Sequence, residues 1–284
     1  MSRVVSIPPF DQPILSILMV LYRGGAMALD AFASVRDHTD VPYEVIVIDN
    51  ASPDCSGGLV RIGTRGVDLV GLPANVGFGP AMNCAVGRAA GEFLCFLNPD
   101  TIVHPGWIAP LIAAASQPGA VGATPVLLGP DGSVQEAGGA IDGLGHSHAV
   151  GVGDWSIDDA DITRRVIDYA SAAALVVRRD AFERVGGFDP LYRLAYFEDA
   201  DLAFSLAAAG GALWLEPASR VTHIRGGTAV GRIALDLGHE NHARFVEKWR
   251  TELDTRPTDI ESASTRLALR DWRVGRQSIP VAPR

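Results

Sequence analysis

The 284-residue chain is 48% hydrophobic with positive mean hydropathy, enough for one large core, yet its apolar runs fall far short of the roughly 20 residues that span a bilayer. Its formal net charge of −9, from 24 basic and 33 acidic residues, argues against nucleic acid as the main partner, because a polyanion is held by clustered Lys and Arg. Cys55, Cys84 and Cys95 are odd in number and lack CxxC spacing, which suits reduced thiols rather than a disulfide framework or a cysteine zinc site.

The N-terminus, MSRVVSIPPFDQP, carries one Arg and early prolines instead of the basic and then apolar segments of a secretory signal, so a cytoplasmic location is expected. Strand-length apolar runs follow: ILSILMVLY (14–22), YEVIVID (43–49), VDLVGL (67–72), EFLCFLN (92–98) and AVGATPVLL (120–128). Near-continuous Val, Ile and Leu segments are those of strands buried on both faces, as in a parallel sheet. Helical patterns lie between them at 27–37, 80–90 and 107–116, and alternation of this kind is α/β architecture. Gly77 and Gly79 allow a tight turn, Pro80 suits a first helical position, and Gly91 ends the helix.

Residues 129–165 are rich in Gly, Asp and His and read as a long irregular connection. Beyond it come RVIDYASAAALVVRR (165–179), a short helix to 185, the turn GGFDPLY (186–192) and a helix at 199–209. A strand pair is expected at 212–215 and 220–223, with a helix at 236–253 behind it. From Arg256 the apolar periodicity weakens and six arginines face three acids, so 254–284 reads as a basic appendage.

Polar residues stand where strands end. In an open parallel sheet, ligands bind outside the carboxyl ends of the strands, and Tyr22-Arg23, Asp49-Asn50-Ala51-Ser52 and Asn98-Pro99-Asp100 all fall there. Taken singly, each is explained by turn chemistry; three at one sheet edge point to a site. Pro99 cannot donate to a ladder, so pairing stops there. Glu198, Asp199 and Asp201 precede an apolar helix, where carboxylates are favourable for electrostatic reasons alone. His223 ends a short apolar run before Gly226-Gly227, a place also open to a hydrogen-bonded core histidine.

Together VIDNASPD, NVGFGPAMN, LNPDT, GGFDPLYRLAYFEDADL and HIRGGT resemble the inverting glycosyltransferases of family 2, over residues 15–228 and in that family's order. The resemblance implies a GT-A fold: a nucleotide-binding α/β sandwich around a mostly parallel central sheet with helices on both faces. It places the transferase domain at 13–253, with a nucleotide-sugar half at about 13–128 and an acceptor half at about 166–253. Relatives include rhamnosyl- and galactofuranosyl-transferases of cell-wall and O-antigen assembly. Many carry Asp-x-Asp where this chain has Asn98-Pro99-Asp100, which leaves Asp100 as the sole carboxylate of that motif.

The residue roles follow from the resemblance and its chemistry. A nucleotide-diphosphate leaving group needs its developing charge neutralised by a divalent cation, Mg²⁺ or Mn²⁺, with Asp100 and His223 as its protein ligands. Tyr22, Asp49, Asn75 and Asn98 are the nucleotide-binding set. Asp199 is the catalytic base that takes the acceptor proton, with Glu198, Asp201 and Tyr196 on the acceptor side. The donor is expected to be a UDP- or dTDP-linked sugar and the acceptor a glycan or polyprenyl-linked glycan. A homo-oligomer is compatible with all of this. A nucleotide-binding oxidoreductase would show GxGxxG after its first strand, where this chain reads YRGGAM. A non-catalytic nucleotide-sugar or glycan-binding relative would carry the same ligands. The tail segment STRLALRDWRVGR (264–276) spaces Arg266, Arg270, Arg273 and Arg276 beside Leu267, Leu269 and Trp272, a pattern for peripheral contact with anionic lipid at the inner face of the plasma membrane or for packing on the acidic body.

Overall fold

The structure, a computed structural model, describes residues 4–149, 162–224 and 232–258, the side chains of 232–235 excepted. Its first part runs β1 (Val5–Ser6), β2 (Leu15–Leu21), α1 (Gly25–His38), β3 (Tyr43–Asp49), α2 (Ser56–Gly63), β4 (Thr64–Arg65), β5 (Val67–Gly71), α3 (Phe78–Val86), β6 (Phe93–Leu97), β7 (Thr101–Val103), α4 (Ile108–Ala115) and β8 (Ala120–Leu128). Every residue of β2, β6 and β8 is buried, as their unbroken apolar runs require. Helix α2 has no signal in the sequence, because Gly57 and Gly58 are poor helix formers.

The second part departs further from expectation. It runs β9 (Val134–Glu136), β10 (Gly139–Ile141), β11 (Ser147–Ala149), β12 (Arg165–Ile167), β13 (Ala174–Arg178), α5 (Arg179–Arg184), α6 (Glu198–Ala208), β14 (Ala212–His223), α7 (Arg232–Lys248) and α8 (Arg250–Leu253). The connection expected to be irregular therefore contains three short strands, hidden because three residues are too few to show a period. The expected strand pair is one strand, β14, whose pairing with β8 shifts register between Leu215 and Arg220. The expected last helix is two, with Trp249 between them.

A ten-stranded sheet holds the molecule together in the order β12-β14-β8-β13-β6-β2-β3-β5, with β7 on β14 and β9 on β8. Strands β5, β3, β2 and β6 are parallel. Strand β13 is antiparallel to both β6 and β8, while β8 and β14 are parallel to each other. The carboxyl ends of β2, β3, β6 and β14 and the amino end of β13 consequently share one edge. Strands from both expected halves interleave in this single sheet.

Helices cover both faces. Leu15, Ile17, Met19 and Leu21 of β2 pack with Phe32 of α1 and with Trp107 and Leu111 at α4, while the alternate residues Leu18 and Val20 pack with Met82 of α3, Phe182 of α5 and Leu202 of α6. A third cluster seats Phe245 and Leu253 against Tyr192 and Phe204. Arg256 is fixed there, its guanidinium 4.3 Å from the Phe204 ring centroid and 2.9 Å from Asp168 Oδ2. The segment 264–276 lies outside the described residues, as do Gly226 and Gly227.

Candidate active site

At the shared edge, β2 and β3 end side by side, with Leu21 paired to Asp49. The Asp49 carboxylate is half-buried and its Oδ1 accepts the Ser52 N–H at 2.9 Å. Helix α2 runs beside it, close enough that a Cβ on Gly57 would lie 2.0 Å from Asp49 Oδ2. Tyr22 is half-buried under the Arg23 guanidinium, 5.8 Å from its ring centroid. Asn50, named at this strand end by the sequence but given no role of its own, is 2% exposed and accepts the Val76 N–H at 2.9 Å while donating to Asn75 Oδ1 and Gly77 O. Asn75 Oδ1 also accepts the Gly77 N–H at 2.9 Å. Its carbonyl oxygen thus closes the 75–77 turn, a task that the expectation of a nucleotide contact did not include.

The Asn98-Pro99-Asp100 corner follows β6. Asn98 is half-buried, and its N–H donates to Ala173 O at 2.9 Å. Asp100 is 7% exposed, with its Oδ1 3.4 Å from His223 Nε2. The approach is made by β7 and β14, whose register pairs Thr101 with His223. Two cis ligands of one octahedral cation with bonds of about 2.1 Å stand about 3 Å apart, so carboxylate and imidazole suit a hard divalent ion. Among the described residues no cluster of three or more His, Cys, Asp or Glu side chains is arranged to hold a metal. A two-ligand protein set matches the habit of Mg²⁺ and Mn²⁺ to complete their shells with substrate phosphates and water.

Helix α6 begins with the acidic group. Asp199 Oδ1 accepts the Ala200 N–H at 2.9 Å, and Oδ2 lies 3.4 Å from the Ala172 N and 3.5 Å from the Tyr169 hydroxyl. Burial pushes its carboxyl above the usual range, partly opposed by the Ala200 and Ala172 amides. Because Ala173 O holds Asn98 and Ala172 N holds Asp199, the amino end of β13 joins the Asn98-Pro99-Asp100 corner to the expected base. Glu136 braces the same segment, accepting the Ser171 N–H at 2.9 Å. Burial and the charge of Asp199 hold Glu198 well above its ordinary value, and Glu198 Oε2 is buried with no hydrogen-bond partner.

Asp201, expected on the acceptor side, has partners of its own. It is 1% exposed and turned inward, its carboxylate accepting from the Tyr192 hydroxyl at 2.9 Å, Trp249 Nε1 at 2.7 Å and Lys248 Nζ at 2.9 Å. A carboxylate so enclosed ties α6 to Lys248 of α7 and to Trp249 at the start of α8. Tyr196 is 39% exposed, on a loop whose carbonyls of Arg193, Ala195 and Tyr196 all accept from Asn241 Nδ2 of α7. Asn241 is fully buried, and a polar residue within an amphipathic helix gave no hint of this.

The five non-glycine residues with positive φ among the described residues are Arg23, Ala51, Leu194, Tyr196 and Phe197. All lie in the loops described above. Such conformations cost roughly 1–3 kcal/mol each and gather at ligand sites. Gly77, at φ 95°, is where the two sides touch: a Cβ there would lie 2.9 Å from the Leu194 N, and the next residue's N–H donates to Leu194 O at 2.7 Å.

Comparison with known proteins identifies the family and the fold. Residues 16–186 match the model of glycosyl transferase family 2. The chain is 31% identical over 233 residues to an N-acetylglucosaminyl-diphospho-decaprenol L-rhamnosyltransferase of Mycobacterium tuberculosis, covering 74% of this chain and 76% of that one. Among solved structures it is similar to GalNAc-T7 with UDP, GalNAc and Mn²⁺, at a TM-score of 0.68 and 21% identity, covering 84% of this chain and 49%, about half, of that one. A mannosyltransferase of Pyrobaculum calidifontis in complex with GDP-Man and Mn²⁺ superposes with a TM-score of 0.59 at 15% identity over 90% of this chain and 70% of that one. At such identities the structural likenesses establish the GT-A fold and nothing finer.

Proposed function

The chain belongs to glycosyl transferase family 2, and on that premise we propose that it is an inverting, metal-dependent transferase moving a sugar from a UDP- or dTDP-linked donor to a hydroxyl of a polyprenyl-linked glycan. The observation that carries this reading is the placement of the Asp100–His223 pair and Asp199 at one sheet edge, joined through Ala172 and Ala173. Tyr22, Asp49 and Asn98 line the carboxyl ends of β2, β3 and β6, where the nucleotide would lie, with Asn75 shaping the adjoining turn. Asp100 and His223 would hold Mg²⁺ or Mn²⁺, which offsets charge on the departing diphosphate when bound. The Mn²⁺ in two similar structures supports that choice of ion.

Asp199 takes the proton of the attacking hydroxyl. The oxygen of that acceptor hydroxyl forms the new bond to the anomeric carbon as the bond to the diphosphate oxygen breaks, so a single displacement inverts the centre. The raised carboxyl of Asp199 suits this task, since a stronger base accepts the proton more readily. Tyr196 and Glu198 border the acceptor side. The rhamnosyltransferase relative, named for a diphospho-decaprenol acceptor, supports a polyprenyl-linked acceptor here. No helix among the described residues is long and apolar enough to cross a membrane; contact with such an acceptor is proposed as peripheral, at the inner face of the plasma membrane. The 13–253 transferase domain, with donor and acceptor halves, and the 254–284 appendage remain part of this proposal.

The test is transfer from radiolabelled UDP- and dTDP-sugars, with Mn²⁺, onto a polyprenyl-diphosphate-linked sugar, the anomeric configuration of the product being read by NMR. Inverted product that disappears with chelator is expected. A retained configuration, or full transfer in excess chelator, overturns the reading.

A further inference from the structure

Strand β9 pairs with β8 through Glu136 to Leu127 and Val134 to Leu128, with the register shifting between them. Two residues of β8 thus oppose three of β9, and Gln135 is the extra one. Bulges of this kind re-aim a side chain and recur beside active sites. Here the half-buried Gln135 turns to the end of β14, where Nε2 donates to His223 O at 3.2 Å and Oε1 lies 2.8 Å from His223 Nδ1.

These two contacts determine each other chemically. A main-chain carbonyl only accepts, so the amide NH₂ of Gln135 must face His223 O, and its Oε1 must then face the ring. An amide oxygen only accepts, so Nδ1 carries the hydrogen. In the neutral ring the lone pair is left on Nε2, the atom 3.4 Å from Asp100 Oδ1. We propose that Gln135 is a positioning residue that holds His223 in the Nδ1–H tautomer and fixes its ring, so that the Nε2 lone pair and the Asp100 carboxylate are presented together to a divalent cation. The proposal rests on the reading of Asp100 and His223 as cation ligands and adds a partner for the second ring nitrogen, the arrangement that ligating histidines commonly need.

The test uses the full chain with ¹⁵N-labelled histidine, observed by NMR at a pH where the ring is neutral. In metal-free protein, His223 should carry its hydrogen on Nδ1. Gln135→Met, similar in shape but without the amide, should move the population towards Nε2–H, whereas Gln135→Glu, which still offers an acceptor, should keep Nδ1–H. With UDP present, Mn²⁺ should broaden the His223 signals, and Gln135→Met should weaken Mn²⁺ binding about 10- to 100-fold. An Nε2–H ring in the native protein overturns the proposal without any variant, as does a Gln135→Met protein with unchanged tautomer and Mn²⁺ affinity. If the tautomer is as stated but Mn²⁺ with UDP leaves His223 unbroadened, the cation reading fails and the proposed role falls with it.

Discussion

Gly57 and Asp49 are in contact: a methyl group on Gly57 would stand 2.0 Å from Asp49 Oδ2, whereas one on the next residue, Gly58, would meet nothing within 4 Å. Gly57→Ala must therefore swing the Asp49 carboxylate aside, although alanine is the better helix former. Titration with UDP should show a loss of about 10- to 100-fold for Gly57→Ala, the scale of an ångström-sized misplacement, and none for Gly58→Ala. Equal affinities in the two variants would remove Asp49 from the nucleotide site.

Replacing Asp199 with Asn keeps the shape of the side chain and removes its basicity. Turnover should fall about 10²- to 10⁴-fold while donor affinity is kept. As the proposed base, Asp199 would work ionised while burial raises its carboxyl, so activity should fall as pH drops through a value above the ordinary carboxylate range. The Tyr169 hydroxyl favours the ionised form. Tyr169→Phe should accordingly move the acid limb of kcat/KM to higher pH, and a limb that stays put would argue that the limb reports another group.

Glu198 is raised well above its ordinary value by burial and by Asp199. A carboxyl whose folded value exceeds its unfolded one contributes stability that is fully present below the unfolded value and is lost as pH rises through the folded one. The thermal stability of the native protein should fall towards alkaline pH more steeply than that of Glu198→Gln, whose side chain does not ionise. Parallel curves of Tm against pH would show that Glu198 does not titrate in this way.

The enclosure of Asp201 predicts a stability effect. Asp201→Ala leaves the Tyr192 hydroxyl and the Trp249 indole without their acceptor, while Lys248 keeps Asp189 at 2.7 Å, and each donor left unsatisfied inside the protein costs about 1–3 kcal/mol. Urea unfolding should show that loss with UDP affinity unchanged. A variant of native stability but raised acceptor KM would return Asp201 to the acceptor side.

Much of this was legible in the chain itself. Near-continuous apolar runs such as Tyr43–Asp49 and Ala120–Leu128 coincide with strands β3 and β8, because burial on both faces leaves few polar positions to blur them. The polar residues at the ends of β3 and β6, Asp49 and Asn98-Pro99-Asp100, could be placed at a sheet edge for a related reason: parallel strands put their carboxyl ends together. What the tertiary structure decided were relations between residues distant in sequence. Glu198, Asp199 and Asp201 are alike as neighbouring acids at a helix start, yet one is an orphaned buried carboxyl, one is held by amides beside a tyrosine, and one is bound by three donors from other elements. Helical rotation turns the three in different directions, and only packing supplies what each meets. Gln135 lies in a segment with no period, so nothing local marked it. Its role arises where a bulge against β8 carries it to the end of β14. Local sequence sets propensity and burial, but hydrogen-bond partners drawn from three strands exist only once the sheet has formed.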